Sequence, residues 1–327
     1  MLNIAVLSGW HVHAEGYAKE LQAIPGVQVK AVWDDDKARG EQLAKELNCA
    51  FEPDVDKLLA DPEIQAVQLT SQTSLHPQLL LKAAAARKHI FTEKVLTISP
   101  EDAAKAQEAI QSSGVCFAIS FPHLCRPEIM KAREIVKEGK LGQIGYARVR
   151  NVHNGAVAGW LPDHFFDESV CGGGAMIDLG AHPMYTLPWL LGSPLSAQSA
   201  FTTLTGKPVE DNAVSLLRFE NGTIGVSETG FVASHDPYTL DISGTQGSLQ
   251  LREGLSWASE ETGGKWVAIT DLPAARPSPL HLWVAAIQAG EPQSDTLSDF
   301  GLAPAVALTQ LMDAAYRAHR SGQEAKL

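Results

Sequence analysis

The segment IAVLSGWHVHAEG, residues 4–16, decides the fold of the first part of the chain. Ile4–Leu7 is a continuous apolar run, which is typical of a parallel strand buried on both faces. Similar strand signals alternate with helical patterns further along, at Val27–Trp33, Ala66–Leu69, His89–Thr92 and Val115–Ser120. This alternation predicts an α/β domain over residues 1–122, with a mainly parallel, doubly wound sheet covered by helices on both faces.

The pattern changes after residue 122. Strand signals at 213–219 and 223–231 flank Glu220-Asn221-Gly222, a hairpin signal, and helical patterns occupy 127–137, 279–289 and 301–319. We therefore predict a second, α+β domain over residues 123–327 with a largely antiparallel, open sheet. Its C-terminal helices could pack back on the first domain.

The composition is that of a globular protein, with 45% hydrophobic residues among 327. The formal net charge of −12 argues against a broad nucleic-acid surface, which needs clustered Lys and Arg. No run predicts a membrane span or a secretory signal, so we expect a cytoplasmic protein without a membrane or nucleic-acid partner. The four cysteines are scattered, which favours reduced, mostly buried thiols over a disulfide or metal framework.

Polar residues follow four of the predicted strands, at Ser8-Gly9, Asp34, Thr70-Ser71 and Glu93-Lys94. The carboxyl ends of parallel strands share one edge of a sheet, where a dinucleotide would bind. The first turn lacks the full G-x-G-x-x-G fingerprint, although Gly9 and Gly16 remain, and an ordinary strand-to-helix turn is an equal alternative. If the turn holds a pyrophosphate, we expect residues 8–12, including His11 and Val12, to line it.

Asp34 lies 25 residues after Gly9, close to the spacing expected of a ribose-binding carboxylate. A carboxylate there accepts hydrogen bonds from ribose hydroxyls and repels a 2′-phosphate, so it favours NAD over NADP. The alternative is that residues 34–36, three consecutive aspartates, cap the following helix.

Three histidines also attract attention. His11 and His13 form an H-x-H pair that could ligate a metal, but no third ligand is evident nearby, so we expect no metal. His76 either approaches the nicotinamide ribose or simply begins a helix.

The stretch GGGAMIDLGAH, residues 172–182, is the stronger constellation. Its three glycines would let the backbone pass close to a ligand. If the rest is helical, Asp178 and His182 share a face, and a carboxylate can fix the tautomer of a general-base histidine. A helix-surface pair without catalytic meaning has the same spacing.

Taken in order, the strand-one turn, Asp34, Thr70–His76, Glu93-Lys94-Val95 and Asp178…His182 resemble the Gfo/Idh/MocA oxidoreductases over nearly the full length. The resemblance implies a Rossmann domain followed by a domain that supplies the substrate pocket and often an oligomer interface. The chain departs from the family at Val95, where proline is usual, and in its shorter glycine turn.

The resemblance also implies roles. Lys94 would hydrogen-bond the reacting hydroxyl, and His182 would take its proton while a hydride passes to NAD. Asp178 would orient His182 or bind a neighbouring hydroxyl, and Glu93 would position Lys94 and the nicotinamide ribose. The implied substrate is a secondary alcohol of a sugar, inositol or similar polyol, bound by a homo-oligomer, dimer or tetramer, in a cleft between the two domains.

Further substrate contacts are expected between residues 148 and 164. Arg148 and Arg150 share a face of a predicted strand and could bind a carboxylate or hydroxyls, with a solvated strand face as the alternative. His153 follows them, and Trp160 could stack on a sugar ring or anchor packing.

Three other functions stay open at this point. The protein could be a member of this family that keeps NAD bound and uses it for transient oxidation, as in glycosidase- or lyase-like chemistry. It could instead be a non-catalytic sensor, although the joint presence of Lys94, Asp178 and His182 argues against that. A metal-dependent enzyme using His11, His13 or His182 is the last alternative.

Overall fold

The computed structural model describes residues 1–235 and 237–327. The chain folds into two units, each with its own internal packing. The first unit comprises Met1–Ser120 and Pro277–Thr309, and the second comprises Phe121–Arg276 and Gln310–Leu327. Each unit therefore takes one segment from the C-terminal part of the sequence.

The first unit is built on a parallel sheet. Its strands are β1 (Leu2–Leu7), β2 (Val27–Trp33), β3 (Ala50–Phe51), β4 (Ala66–Leu69), β5 (His89–Thr92) and β6 (Phe117–Ile119). They lie in the order β3-β2-β1-β4-β5-β6, and the neighbouring strands pair in parallel. This is the order of a dinucleotide-binding, doubly wound sheet, which confirms the predicted class.

The connecting helices are α1 (Ala14–Ala23), α2 (Lys37–Glu46), α3 (Val55–Ala60), α4 (His76–Ala85) and α5 (Pro100–Ser113). Side-chain caps begin three of them: Asp36 accepts from the Arg39 N–H in α2, Asp54 accepts from the Asp56 and Lys57 N–H groups in α3, and Ser99 accepts from the Asp102 N–H in α5. Ile4 and Phe91 are completely buried in the sheet, and burying a side chain of this size stabilises the fold by roughly 1.5–3 kcal/mol.

The remaining elements follow in chain order. They are α6 (Pro127–Lys137), β7 (Ile144–Val152), α7 (Gly155–Ala158), α8 (Glu168–Cys171), α9 (Ala175–Asp178), α10 (Ala181–Leu191), β8 (Pro194–Thr202), β9 (Asn212–Phe219), β10 (Ile224–Gly230), β11 (Tyr238–Gly244), β12 (Gly247–Leu251), β13 (Leu255–Ser259), β14 (Val267–Ala268), α11 (Pro279–Ala289), α12 (Leu302–Ser321) and β15 (Ala325–Lys326). Of these, α11 belongs to the first unit, and α12 begins in the first and ends in the second.

The second unit contains a sheet of order β14-β13-β12-β11-β7-β10-β9-β8-β15. Its described pairs are antiparallel except for β7 and β10, which run parallel. The predicted, largely antiparallel sheet is thus confirmed. Helix α10 packs against β7 and β10 and covers one face. The predicted Asn221-Gly222 turn joins β9 to β10, with Gly222 at a φ of +83° that glycine adopts without strain.

Two further expectations concern the whole chain. All four cysteines are free thiols, with Cys116, Cys125 and Cys171 buried and Cys49 partly buried, as predicted. Within residues 1–235 and 237–327, no helix combines the length and the apolar character that a membrane span requires.

Candidate active site

The carboxyl edge of the first sheet brings together the residues after β1 and β4. The Thr70 hydroxyl donates to the Ser8 carbonyl at 2.7 Å, and the His11 N–H donates to the Thr70 carbonyl at 3.1 Å. Strand order reverses at this point, which is where doubly wound sheets bind ligands. Val12 is 52% exposed in the turn that leads into α1, whereas Ser71 is buried.

Asp34 lies buried beneath this turn as an ionised acceptor. Its Oδ2 accepts from the Ser8 hydroxyl at 3.1 Å and from the Gly9 N–H at 2.7 Å. Arg39 donates to both carboxylate oxygens. Burial alone would raise the pKa of Asp34, but the hydrogen bonds from Arg39 and Gly9 lower it overall. Asp36, not Asp34, caps α2, and no sequence pattern singled out Arg39.

Three nitrogen atoms surround one carboxylate oxygen of Glu93, just after β5. Glu93 Oε1 lies 3.1 Å from His13 Nδ1, 3.7 Å from His11 Nε2 and 3.9 Å from Lys94 Nζ. The side chains of Glu93 and Lys94 are each 2% exposed. Burial alone would raise the pKa of Glu93, but His11, His13 and Lys94 hold it well below its usual range. Lys94 Nζ therefore lies buried beside a carboxylate that is ionised at neutral pH.

Tyr17 completes this cluster and was not singled out from the sequence. Its hydroxyl donates to Glu93 Oε2 at 3.1 Å and lies 2.7 Å from the Ser120 hydroxyl. Burial, and then the charge of Glu93, raise the pKa of Tyr17 well above its usual value, so the phenol keeps its proton. In the sequence Tyr17 belongs to the apolar stripe of a helix, a pattern that does not reveal a polar contact 76 residues away.

In the structure Glu93 lies beside His11 and His13 and could be the third metal ligand that was not evident from the sequence. The ligand atoms of His11, His13 and Glu93 lie within 4.8 Å of one another. However, the backbone N–H of His13 donates to His11 Nδ1 at 3.2 Å, which leaves the proton of a neutral His11 on Nε2, facing Glu93. This is the arrangement of a hydrogen-bonded carboxylate. That the protein holds no metal stays a prediction.

His76 begins α4, as one of the two alternatives predicted, and is only 1% exposed. Its contact with a nicotinamide ribose stays a prediction. Its Nδ1 lies 3.0 Å from the Val95 carbonyl and its Nε2 lies 3.2 Å from the Ser71 carbonyl. A buried imidazole at this position bridges the loops after β4 and β5. His76 thus braces the segment that follows Lys94.

In the second unit, Asp178 is the last residue of α9 and His182 lies in the first turn of α10. Leu179 and Gly180 between them keep helical backbone angles. His182 is buried, and its Nδ1 lies 2.8 Å from the Tyr185 hydroxyl. Tyr185 is a second residue that the sequence did not identify.

Two of the three glycines before α9, Gly173 and Gly174, are required by packing within the unit. A Cβ on Gly173 would lie 1.9 Å from the Tyr316 hydroxyl, and one on Gly174 would lie 2.1 Å from the Glu210 carbonyl. Glu210 Oε1 also accepts from the Gly174 N–H at 2.9 Å and from the Tyr316 hydroxyl at 2.6 Å. Gly173 and Gly174 therefore accommodate Tyr316 and Glu210, and close approach of this backbone to a ligand stays a prediction.

Aromatic rings surround His182. The His123 ring meets it edge-on with centroids 4.7 Å apart, and the His123 ring also stacks on Tyr238, with centroids 4.2 Å apart. Arg126 lies over the Tyr238 ring at 4.9 Å. Arg126 and Tyr238 also line a cavity of about 660 Å³, together with Pro237, Thr239, Arg252, Glu253 and Gly254.

The structure does not bring Arg150 together with His182. Side chains alternate along β7, and Asn151 donates to the Leu179 carbonyl between α9 and α10. Arg148 and Arg150 lie on the opposite face, where both pair with Glu228. The strand period determines that they share a face, but only the packing of α10 decides which face that is.

His153 and Trp160 lie together beyond β7. The His153 ring stacks on Phe231 at 4.9 Å and lies 4.6 Å from the Trp160 ring. Trp160 donates to the Asn154 side chain at 3.2 Å and is 54% exposed. Trp160 therefore presents an open ring surface, whereas His153 is held by packing.

Two family models match most of the chain. The model described as "Oxidoreductase family, NAD-binding Rossmann fold" of GFO_IDH_MocA covers residues 5–121, and the model described as "GFO/IDH/MocA C-terminal domain" covers residues 129–250.

Several curated relatives are named as enzymes that act on sugars or inositols. The scyllo-inositol 2-dehydrogenase (NAD(+)) of Bacillus subtilis is 31% identical over 245 residues, covering 71% of this chain and 69% of that protein. The 1,5-anhydro-D-fructose reductase of Ensifer adhaerens is 29% identical, covering 60% of this chain and 59% of that protein.

Solved structures share the fold across the chain. GenD2 from gentamicin A biosynthesis, solved with NAD, has a TM-score of 0.84 at 24% identity and covers 100% of this chain and 96% of its own. Levoglucosan dehydrogenase, solved with NADH and levoglucosan, has a TM-score of 0.82 at 20% identity and covers 99% of both chains.

Proposed function

Since the chain belongs to the GFO/IDH/MocA family of oxidoreductases, we propose that it is an NAD-dependent dehydrogenase or reductase. Its substrate is a secondary alcohol, or the matching ketone, on a sugar, inositol or similar polyol. The observation that carries the proposal is the buried Lys94 side chain beside Glu93, at the edge of a sheet with dinucleotide-binding order.

The residues of the first unit suit a dinucleotide. A helix N-terminus attracts a pyrophosphate, and α1 begins directly after the exposed turn at Val12. Asp34 is a negative charge at the end of β2, which favours the free ribose of NAD over the 2′-phosphate of NADP. Arg39 already pairs with Asp34, so a ribose hydroxyl must share that carboxylate with a guanidinium.

The chain's own groups divide the work of the reaction. Lys94 donates a hydrogen bond to the substrate oxygen and stabilises the negative charge that grows there. His182 accepts the hydroxyl proton during oxidation and returns it during reduction. Glu93 holds Lys94 in place, and Asp178 binds a neighbouring hydroxyl or supports His182. A bound nicotinamide dinucleotide supplies the hydride acceptor or donor.

Relatives named for scyllo-inositol, 1,5-anhydro-D-fructose and levoglucosan support the substrate class. The test is a panel of inositols, hexoses, anhydrosugars and glucosides with NAD and with NADP, followed at the NADH absorbance band. We expect turnover with a cyclic polyol and a preference for NAD. No turnover with any polyol would contradict the proposal. Conversion without net NADH would instead indicate transient oxidation by a retained cofactor.

We also propose that the protein is a homo-oligomer. One face of the second sheet carries Val214, Leu216, Ile224 and Tyr146, each more than a third exposed, and the last two are paired in register. These exposed apolar side chains share their face with the ion pairs of Arg148 and Arg150 with Glu228, and such a mixed face suits association with a second copy of the chain. Light scattering after size exclusion would report the mass, and a monomer at micromolar concentration would contradict the proposal.

A further inference from the structure

We propose that Tyr185 is the positioning residue of His182, holding its imidazole in the tautomer and orientation that a base needs. Tyr185 has this role only if His182 is the base proposed above. The sequence suggested Asp178 as the orienting group, and nothing in the sequence pattern distinguished Tyr185 from a core aromatic residue.

The contact is short and buried. His182 Nδ1 and the Tyr185 hydroxyl oxygen lie 2.8 Å apart, which is a normal hydrogen-bond distance. The residues are 6% and 5% exposed, so water competes little for the contact. They are three residues apart within α10, one turn of helix, so the bond forms within one rigid element.

Tyr185 is itself held on two sides. Its ring stacks on Phe121 with centroids 4.3 Å apart and an interplanar angle of 26°. The His123 N–H donates to its hydroxyl oxygen at 3.3 Å. Neither contact depends on the charge of His182, so the hydroxyl stays in place through a catalytic cycle.

A ring contact restricts the plane of the imidazole: the His123 ring meets the His182 ring edge-on. The Thr186 hydroxyl donates to the backbone carbonyl of His182 at 2.8 Å, a contact of the helix backbone and not of the ring. When His182 Nδ1–H donates to the Tyr185 oxygen, the lone pair lies on Nε2, ready for a substrate proton. After protonation the same Nδ1–H bond persists, so no rearrangement accompanies proton transfer.

A phenol orients differently from a carboxylate. When it accepts from Nδ1–H it adds no negative charge, so it orients the imidazole while stabilising the imidazolium less. The ionisable groups near His182 in the second unit include His123 beside it, Tyr238 and Arg126 beyond His123, and Asp178 at the end of α9. Burial raises the pKa of Tyr238 to about 12, so Tyr238 stays neutral in any ordinary assay.

The test uses Tyr185→Phe, which removes only the hydroxyl and keeps the ring against Phe121. Asp178→Asn is the competing variant, and His182→Gln assigns the His182 signal in ¹⁵N spectra of histidine-labelled protein. We expect the wild-type signal of a neutral His182 to show a proton on Nδ1. Tyr185→Phe should abolish that tautomer preference, and Asp178→Asn should keep it. Unfolding temperatures report whether each variant folds.

Turnover gives the second readout. Tyr185→Phe should lower kcat about 10–100-fold with little change in KM, the loss seen when a group that orients a functional histidine is removed. An unchanged tautomer in Tyr185→Phe, or the same change in Asp178→Asn, would overturn the role of Tyr185. Undiminished turnover in His182→Gln would instead overturn the proposed base, whatever the spectra of Tyr185→Phe show.

Discussion

In the first unit Lys94 lies beside a buried carboxylate, whereas in the second unit His182 lies among aromatic rings and hydroxyl groups. Glu93 gathers Lys94 and two imidazoles around one oxygen. His182 has a phenol at 2.8 Å and an aromatic ring at 4.7 Å. The carboxylate of Glu93 holds the Lys94 side chain beside a fixed charge, which suits a group that stabilises an oxyanion. The contacts of His182 hold its imidazole in one orientation, which suits a group that exchanges a proton.

The largest effect should come from removing the Lys94 side chain. Lys94→Ala should lower kcat/KM about 10³-fold, because no other ammonium is expected to stabilise the substrate oxygen. Steady-state assays on the best polyol of the panel would measure this. Lys105→Ala is the matched control, since that lysine is exposed and pairs with Asp102 in the same helix. Equal rates in the two variants would contradict the role of Lys94.

The next effect concerns stability and its dependence on pH. The pKa of Glu93 is lower in the folded state than its ordinary value of 4.5, so its contribution to stability is present above that pH and is lost as the pH falls below it. Glu93→Gln should lower the free energy of unfolding at pH 7 by about 3 kcal/mol, as when a buried ion pair loses one partner.

Urea unfolding at pH 7 and at a pH about one unit below 4.5 would measure this effect. The difference between wild type and Glu93→Gln should shrink at the lower pH. Glu108→Gln, on the exposed side of α5, is the control and should change little at either pH. A Glu93→Gln variant as stable as the wild type at pH 7 would show that the cluster around Glu93 contributes no net stability.

The smallest effect is on cofactor choice. Asp34→Asn should reduce the preference for NAD over NADP about tenfold, roughly 1.4 kcal/mol, because it removes the charge that repels a 2′-phosphate. Asp36→Asn keeps a helix cap and should leave the preference unchanged. The ratio of kcat/KM for the two cofactors is the measurement. A wild type that already prefers NADP would refute this account of Asp34.

The sequence predicted what depends on local periodicity. Strands such as Val27–Trp33 and helix Pro127–Lys137 match the expected spans, because their apolar patterns repeat at the period of the element. Short or edge strands such as Ala50–Phe51 and Ala325–Lys326 were missed, since two residues carry no period.

The residues of the candidate site were harder to predict from the sequence than the strands. Spacing pointed to Asp178 and His182, but the Glu93–His13 contact spans 80 residues and follows only from the sheet topology. Tyr17 and Tyr185 look like core aromatic residues until their hydroxyl partners are known. The face of β7 on which Arg150 lies is determined by the packing of α10 against the other face, and no local sequence pattern predicts that packing.

The discontinuity of the first unit affects how the chain is made. Trp283 of α11 is completely buried, with its ring 5.8 Å from Phe91, and it donates to the Cys116 carbonyl at 3.3 Å. A ribosome has therefore synthesised the whole nucleotide-binding sheet long before the residue that completes its core emerges. During that interval Phe91 lacks one of its packing partners, so the growing chain exposes an apolar surface that a chaperone could shield until α11 arrives.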